Sequence, residues 1–283
     1  MGADYVEVSY MLHDLGDVCV LEEGRSREAE ALFRRALDIK EAAWGDKDYR
    51  STVTLQKLGR CVRQAGRLAE AEGLFRRELD IREAKMGADH VEVSYTLHDL
   101  GVVCVLEEGR PGEAEALFRR ALEIQEAAWG DKDHRITGTL EELGLCVRQA
   151  GRLAEAEGLF RRALEIRETK LGIDHAEVAV TLDDLGRCAW DAGRPGEAEA
   201  WFERALEIQE AELGADDLQV AVTLQSMGVC ARKAGRLGGG KAWFRRALEI
   251  QEAKLGADHP DIAFTRSELG RCVEEGGRPV ETG

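Results

Sequence analysis

The sequence contains no apolar run long enough to span a bilayer, which excludes a helical membrane protein. Its opening residues, MGADYVEVSY, lack the basic start and apolar core of a secretory signal. Positive charge is in deficit: the formal net charge is -16, a field that repels phosphate backbones and argues against nucleic acid as the main partner. The seven cysteines include no Cys-x-x-Cys pair, so zinc ligands of common spacing are missing. Without a secretion signal, those cysteines point to a reducing, cytoplasmic setting. Aromatic residues make up only 6% of the chain, and asparagine is absent altogether.

What is present is a folded composition dominated by strong helix formers. The 283 residues are 44% hydrophobic, and Ala, Leu, Glu and Arg lose little side-chain freedom in a helix. The segment GRLAEAEGLFRR stands at 66–77 and again at 151–162, inside a longer unit that runs through 3–87 and recurs through 88–172. A shorter period lies within it. Cys19, Cys61, Cys104, Cys146, Cys188, Cys230 and Cys272 follow one another at 42 or 43 residues. Such self-similarity is the signature of a solenoid or a propeller.

Helical periodicity decides between the two. Ala114, Leu117, Phe118, Ala121 and Leu122 recur at the spacing of one helix face, and no period-two alternation competes with it. Glu30, Glu72, Glu115 and Glu157 each precede an arginine by four residues, the favourable order for a helix-surface ion pair. A Gly-Arg pair at Gly24, Gly66, Gly109, Gly151, Gly193, Gly235 and Gly277 closes a first helix, A. Pro111, Pro195 and Pro279 suit the first positions of a second helix, B. A later glycine ends helix B, and Asp46, Asp89, Asp174 and Asp258 are placed to cap the helix that follows. Neither helix hides its apolar face alone, so each unit is stable only against its neighbours.

The unit resembles the tetratricopeptide repeat. Leu185-Gly186 is followed by Ala198, Phe202 and Ala205, and Leu143-Gly144 by Ala156, Phe160 and Ala163, at the family's offsets. The period is 42 instead of ~34, and RRALEIRETKLGIDH at 161–175 is similar to the long repeats of kinesin light chains. The resemblance implies an all-α solenoid of antiparallel helix pairs in a right-handed superhelix. It implies a single domain over 1–283, with units near 3–45, 46–87, 88–130, 131–172, 173–214 and 215–256, a half unit at 257–276, and a tail at 277–283. It implies a non-catalytic scaffold that holds an extended peptide or a partner surface in a concave groove lined by the A helices. A sensor module of a larger signalling protein, or end-to-end self-association, is the alternative. Groove asparagines that clamp a peptide carboxylate elsewhere in the family are ruled out, since the chain has none.

Projection of helix A at 3.6 residues per turn places Tyr10, His13, Gln56, Lys57, Arg60, Arg63, Gln64, Tyr95 and His98 on the groove. Glu141, Glu142, Arg148, Gln149, Asp183, Asp184, Arg187, Trp190, Gln225, Arg232 and Lys233 continue the same row. Trp190 stands where other units carry arginine and is expected to touch a partner. The arginines favour a partner with acidic groups, because a guanidinium pairs a carboxylate through two hydrogen bonds.

Three motifs have simpler readings. GRLGGGK at 235–241 fits a phosphate loop but lacks the following Ser or Thr and a preceding strand. His13-Asp14 and His98-Asp99 lack the further ligands of a metal phosphohydrolase. The cysteines behave as small buried hydrophobes. No catalytic, cofactor or metal residues are therefore assigned. Two local departures carry expectations: Gly238-Gly239-Gly240 should fray the start of a helix B, and one extra residue before Cys19 and Cys104 should give a bulge or a longer turn.

Overall fold

A computed structural model describes residues 3–22, 24–107, 109–256 and 259–277. The chain forms two compact units, residues 1–146 and 147–283. Among the described residues there are thirteen α-helices and no strand. In the first unit A helices alternate with B helices: α1 (Ala3–Leu21), α2 (Ser26–Trp44), α3 (Thr52–Gln64), α4 (Leu68–Met86), α5 (Val91–Leu106) and α6 (Pro111–Trp129). The boundary falls in α7 (Thr137–Gln149). The second unit contains α8 (Leu153–Leu171), α9 (Ala176–Asp191), α10 (Pro195–Glu212), α11 (Leu218–Lys233), α12 (Leu237–Leu255) and α13 (Pro260–Gly277). Sequential helices pack on one another, as in α1 with α2 and α9 with α10. The all-α architecture of paired helices is thus the one the repeat implies.

Five of the helix pairs, α1–α2, α3–α4, α5–α6, α9–α10 and α11–α12, are closed by one contact. The glycine of the Leu-Gly motif lies beneath the phenylalanine of its own B helix. A Cβ on Gly59 would sit 2.6 Å from the ring of Phe75, and Gly16, Gly101, Gly186 and Gly228 stand equally close to Phe33, Phe118, Phe202 and Phe244. All five rings are buried. The motif therefore needs glycine for close approach of a backbone to an aromatic ring, at the cost of its low helix propensity.

The turn after helix A is equally constrained. Gly66 takes φ +76, and the amides of Gly66 and Arg67 donate to Arg63 and Val62 carbonyls at 2.9 and 3.1 Å. The arginine that follows has a task that i, i+4 reasoning does not reveal. Arg110, Arg194 and Arg236 reach the B helix of the preceding repeat, at Glu72 (2.7 Å), Glu157 (2.5 Å) and Glu199 (2.7 Å). Arg67 does the same to Glu30. The expected pairs within one helix also form, as in Arg76 with Glu72 at 2.6 Å and Arg161 with Glu157 at 2.8 Å.

Two local expectations are corrected, and a third is narrowed to one of its two alternatives. Gly238–Gly240 do not fray: α12 begins at Leu237. Gly240 occupies the buried alanine position of the other repeats, where a Cβ would meet Gly228 O at 3.2 Å and Cys272 Sγ at 3.3 Å. The residues that cap the A helices lie later than Asp46, Asp89 and Asp174. His90 and His175 accept through Nδ1 from Glu92 and Glu177 amides at 3.2 Å, Asp217 uses its carboxylate, and Asp48 caps the short 3-10 turn Tyr49–Ser51 that leads into α3. Asp258 and the tail at 278–283 lie outside the described residues. The extra residue of α1 and α5 lengthens the turn, since the Gly–Phe contact is unchanged and α5 runs on to Leu106. In consequence the cysteines occupy two helical registers. Cys104 takes the place of Val62, and Val103 that of Cys61, and all four are buried.

All seven thiols are free and buried. Burial pushes the Cys146 thiol up to about 11 and that of Cys230 to about 12. Native protein should accordingly show no fast reaction with Ellman's reagent, and seven equivalents should react after unfolding. One fast native thiol would contradict the packing.

Candidate functional site: the exposed face of the A helices

In the first unit the face is a ladder of apolar side chains beside a ladder of polar ones. Tyr10, Val53 and Tyr95 occupy the same position, six residues before the glycine, and all three are exposed. Tyr10 lies 6.3 Å from Trp44 and Tyr95 5.9 Å from Trp129, and Arg50 and Arg135 stack on those indoles at 3.8 and 4.0 Å. These tryptophans are half-buried parts of the surface layer.

The polar ladder is engaged internally. Asp99 is buried, and it gathers three partners from α3: Arg60 Nη2 at 2.8 Å, Gln56 Nε2 at 3.2 Å and Arg63 Nη1 at 3.5 Å. Lys57 pairs with Asp17 at 2.8 Å. His13 and His98 lie edge-on to Phe33 and Phe118 and approach Thr54 and Thr139 hydroxyls at 3.2 and 3.3 Å. Burial holds both imidazoles below their ordinary value, so they are neutral near pH 7. Gln64 is exposed at the end of α3, and burial pushes the Glu142 carboxyl up, helped by Glu141.

The second unit repeats this logic and adds a cavity. Arg148 pairs with Asp191 at 2.9 Å, Arg187 with Asp183 at 2.7 Å, and Arg232 with Glu268 at 3.0 Å and Glu275 at 2.8 Å. Asp183 also accepts from Thr223 at 3.3 Å, and Gln225 donates to Thr265. Asp184 is buried, whereas Gln149 and Lys233 are exposed. Lys233 Nζ lies 5.3 Å from the centre of the Trp190 ring. Trp190 borders a cavity of about 260 Å³ with Phe202, Val222, Val229, Cys230 and Phe264. Arg148, Arg187, Asp191, Gln225 and Ser226 complete its lining. The exposed Val222 and Phe264 hold the position that Tyr10, Val53 and Tyr95 hold in the first unit.

The family model of the tetratricopeptide repeat matches residues 50–127, 135–211, 193–239 and 219–281. The chain belongs to the tetratricopeptide repeat family. Solved structures with a similar fold include two at under 25% identity. One is a candidate kinesin light chain of Podosopora anserina with nearly identical tetratricopeptide-like repeats, at 18% identity and a TM-score of 0.62, covering 74% of this chain and 99% of that one. Another is BtubC (BKLC) of P. vanneervenii, at 21% identity and a TM-score of 0.68, covering 83% of this chain and 94% of that one. Comparison with curated proteins gives no match. Tetratricopeptide repeats serve in general as scaffolds for protein–protein interaction.

Among the described residues no three His, Cys, Asp or Glu side chains are placed to hold a metal, and no helix is long and apolar enough to cross a membrane. Gly238–Lys241 are helical, so the phosphate-loop pattern has no loop. Sequence projection missed Asp99, Val222 and Phe264. An acid two residues before the glycine, one repeat on from an arginine just after it, is the signal that marks Asp99.

Proposed function

We propose that this tetratricopeptide array is a non-catalytic cytoplasmic scaffold that holds an extended partner segment along its A helices, with one apolar side chain of that segment in the Trp190 cavity. The cavity carries the reading: an apolar recess with a few polar groups on an otherwise ion-paired surface is the ordinary form of a small binding site. Arg63, Arg148 and Arg232 already hold carboxylates of the chain itself, so acidic groups on a partner would act by exchange with Asp99, Asp191 and Glu268. The apolar contact therefore supplies most of the affinity, and the arginines set register.

Peptides selected from a random displayed library on the immobilised chain supply the probe. Val222→Trp, which plugs the cavity from an exposed position, should weaken a selected peptide about tenfold or more, a loss of ~1.4 kcal/mol, with the melting temperature unchanged. Reversal of Arg148 to Glu should weaken it less. Peptides that bind equally well to Val222→Trp would refute the assignment.

A further inference from the structure

Adjacent A helices of the first unit are joined by a recurrent ion pair. The residue just after the glycine of one helix meets the residue two before the glycine of the next: Asp17 with Lys57, and Arg60 with Asp99, both at 2.8 Å. Arg63, three residues beyond Arg60, adds a second contact to Asp99 at 3.5 Å. Residues 137–146 of α7 belong to the same unit and are set against α5 in the same register, since His98 meets Thr139 as His13 meets Thr54. That register puts Glu142 in the place of Asp99, with Val102 and Val105 in the places of Arg60 and Arg63. The acid is kept and its cations are replaced by valine.

Glu142 is half-buried, and its carboxylate has no ion pair or hydrogen bond among the described residues. Arg63 attracts it only from beyond ion-pair distance and is already held by Asp99. The face beside it is apolar. Val105 is 38% and Leu106 53% exposed, and Val102 and Leu145 are half-buried. The ends of the chain do not cause this opening, because the B helices α4 and α6 both pack on α5.

We propose that the face formed by α5 and the start of α7 takes a basic partner segment, one arginine or lysine of which pairs with Glu142 while its aliphatic stem lies on Val102, Val105 and Leu106. The inference rests on the reading of the A helices as a partner surface, but it concerns the first unit, whereas Trp190 belongs to the second. Charge complementarity selects the occupant. A half-buried carboxylate without a cation gains most from a charged donor, and a long basic side chain covers apolar surface with its stem while its head stays polar. An acidic segment would be repelled by Glu142 and would find Lys57, Arg60 and Arg63 already paired. The net charge of -16 also favours the approach of a cationic chain.

The test selects random displayed peptides on the immobilised chain, with an excess of the Glu142→Gln chain in solution as competitor. Recovered peptides should share Arg or Lys at one position beside an apolar residue. One of them, labelled with fluorescein, should bind about tenfold more weakly to Glu142→Gln. Val102→Arg supplies the missing cation within the chain and should weaken the peptide by a similar factor, with the melting temperature unchanged or higher. Exchange of the peptide's basic residue for Glu should abolish binding, and the Glu142→Arg chain should restore it. Val222→Trp should leave this peptide unaffected, which separates failure here from failure at the Trp190 cavity. Glutamine is isosteric with glutamate, and a melting curve verifies that its variant keeps the fold. Recovery of no peptide that prefers the unchanged chain, of peptides without a shared basic residue, or of binding that the charge exchange does not restore overturns the proposal. So does a dimer in sedimentation equilibrium that Glu142→Gln dissolves, since a second copy would then supply the cation.

Discussion

Gly101→Ala should destabilise the unchanged chain and stabilise a Phe118→Ala variant. The sign reverses because two effects of opposite direction meet at one site. A Cβ on Gly101 would lie 2.6 to 2.9 Å from three carbons of the Phe118 ring. That ring is fully buried, so the methyl group overpacks the pair by about 1–3 kcal/mol. Phe118→Ala alone leaves a cavity and costs about 3–5 kcal/mol. Once the ring is gone the clash is gone too, and alanine in the interior of α5 gains up to about 1 kcal/mol of helix propensity over glycine. Urea unfolding of the four variants at constant slope reads the coupling directly. Additive losses would show that the glycine does not exist for the ring.

This contact also shows what could be read in the sequence. Glycine and phenylalanine recur in step, so their pairing follows from periodicity, and with it the helix pair and the fold. The partners of the polar groups were hidden for a different reason. Asp99 and Arg60 are nearly one full repeat apart, and helix projection places each on a face without naming what stands opposite. Arg110 and Glu72 are separated in the same way. A reading limited to single helices therefore saw Arg63, Arg148 and Arg232 as available cations, whereas each is held by an acid of a later helix A. The triplet Gly238–Gly240 misled for the converse reason. Propensity predicts fraying, but the packing of α12 against α11 and α13 decides in favour of helix, and Gly240 sits in a tight part of that contact. The cavity beside Trp190 could be anticipated only through Trp190 itself, because Val222 and Phe264 look like ordinary apolar residues until their neighbours are known.

Glu78→Ala should raise stability, and the gain should grow with pH. Glu78 is fully buried at a position where the other repeats place Ala36, Ala121, Ala163, Ala205 and the equally buried Ala247. Its Oε1 accepts from Thr96 and meets Arg82 at 2.7 Å, but Oε2 is buried without a hydrogen-bond partner. Desolvation outweighs the attraction of Arg82 and pushes the carboxyl up to about 8, with Asp99 adding to the rise. The folded state thus holds a proton that the unfolded chain releases near the ordinary carboxylate value. Neutral Glu78 is tolerated in acid, and its contribution is lost as pH rises from about 4.5 towards 8. Removing the acid does not strand the cation. Arg167 sits beside Ala163 and is satisfied by the Glu177 carbonyl at 3.0 Å and the Thr181 hydroxyl at 2.6 Å, and Arg82 has the same two acceptors in Glu92 and Thr96. The expected gain is about 1–4 kcal/mol at pH 9, the range found when buried ion pairs give way to apolar residues, and near zero at pH 5. Ala163→Glu should produce the mirror image, a loss that deepens with pH. Urea midpoints of the three chains at the two pH values measure both, and a Glu78→Ala gain independent of pH would mean that packing, not ionisation, sets the cost of this residue.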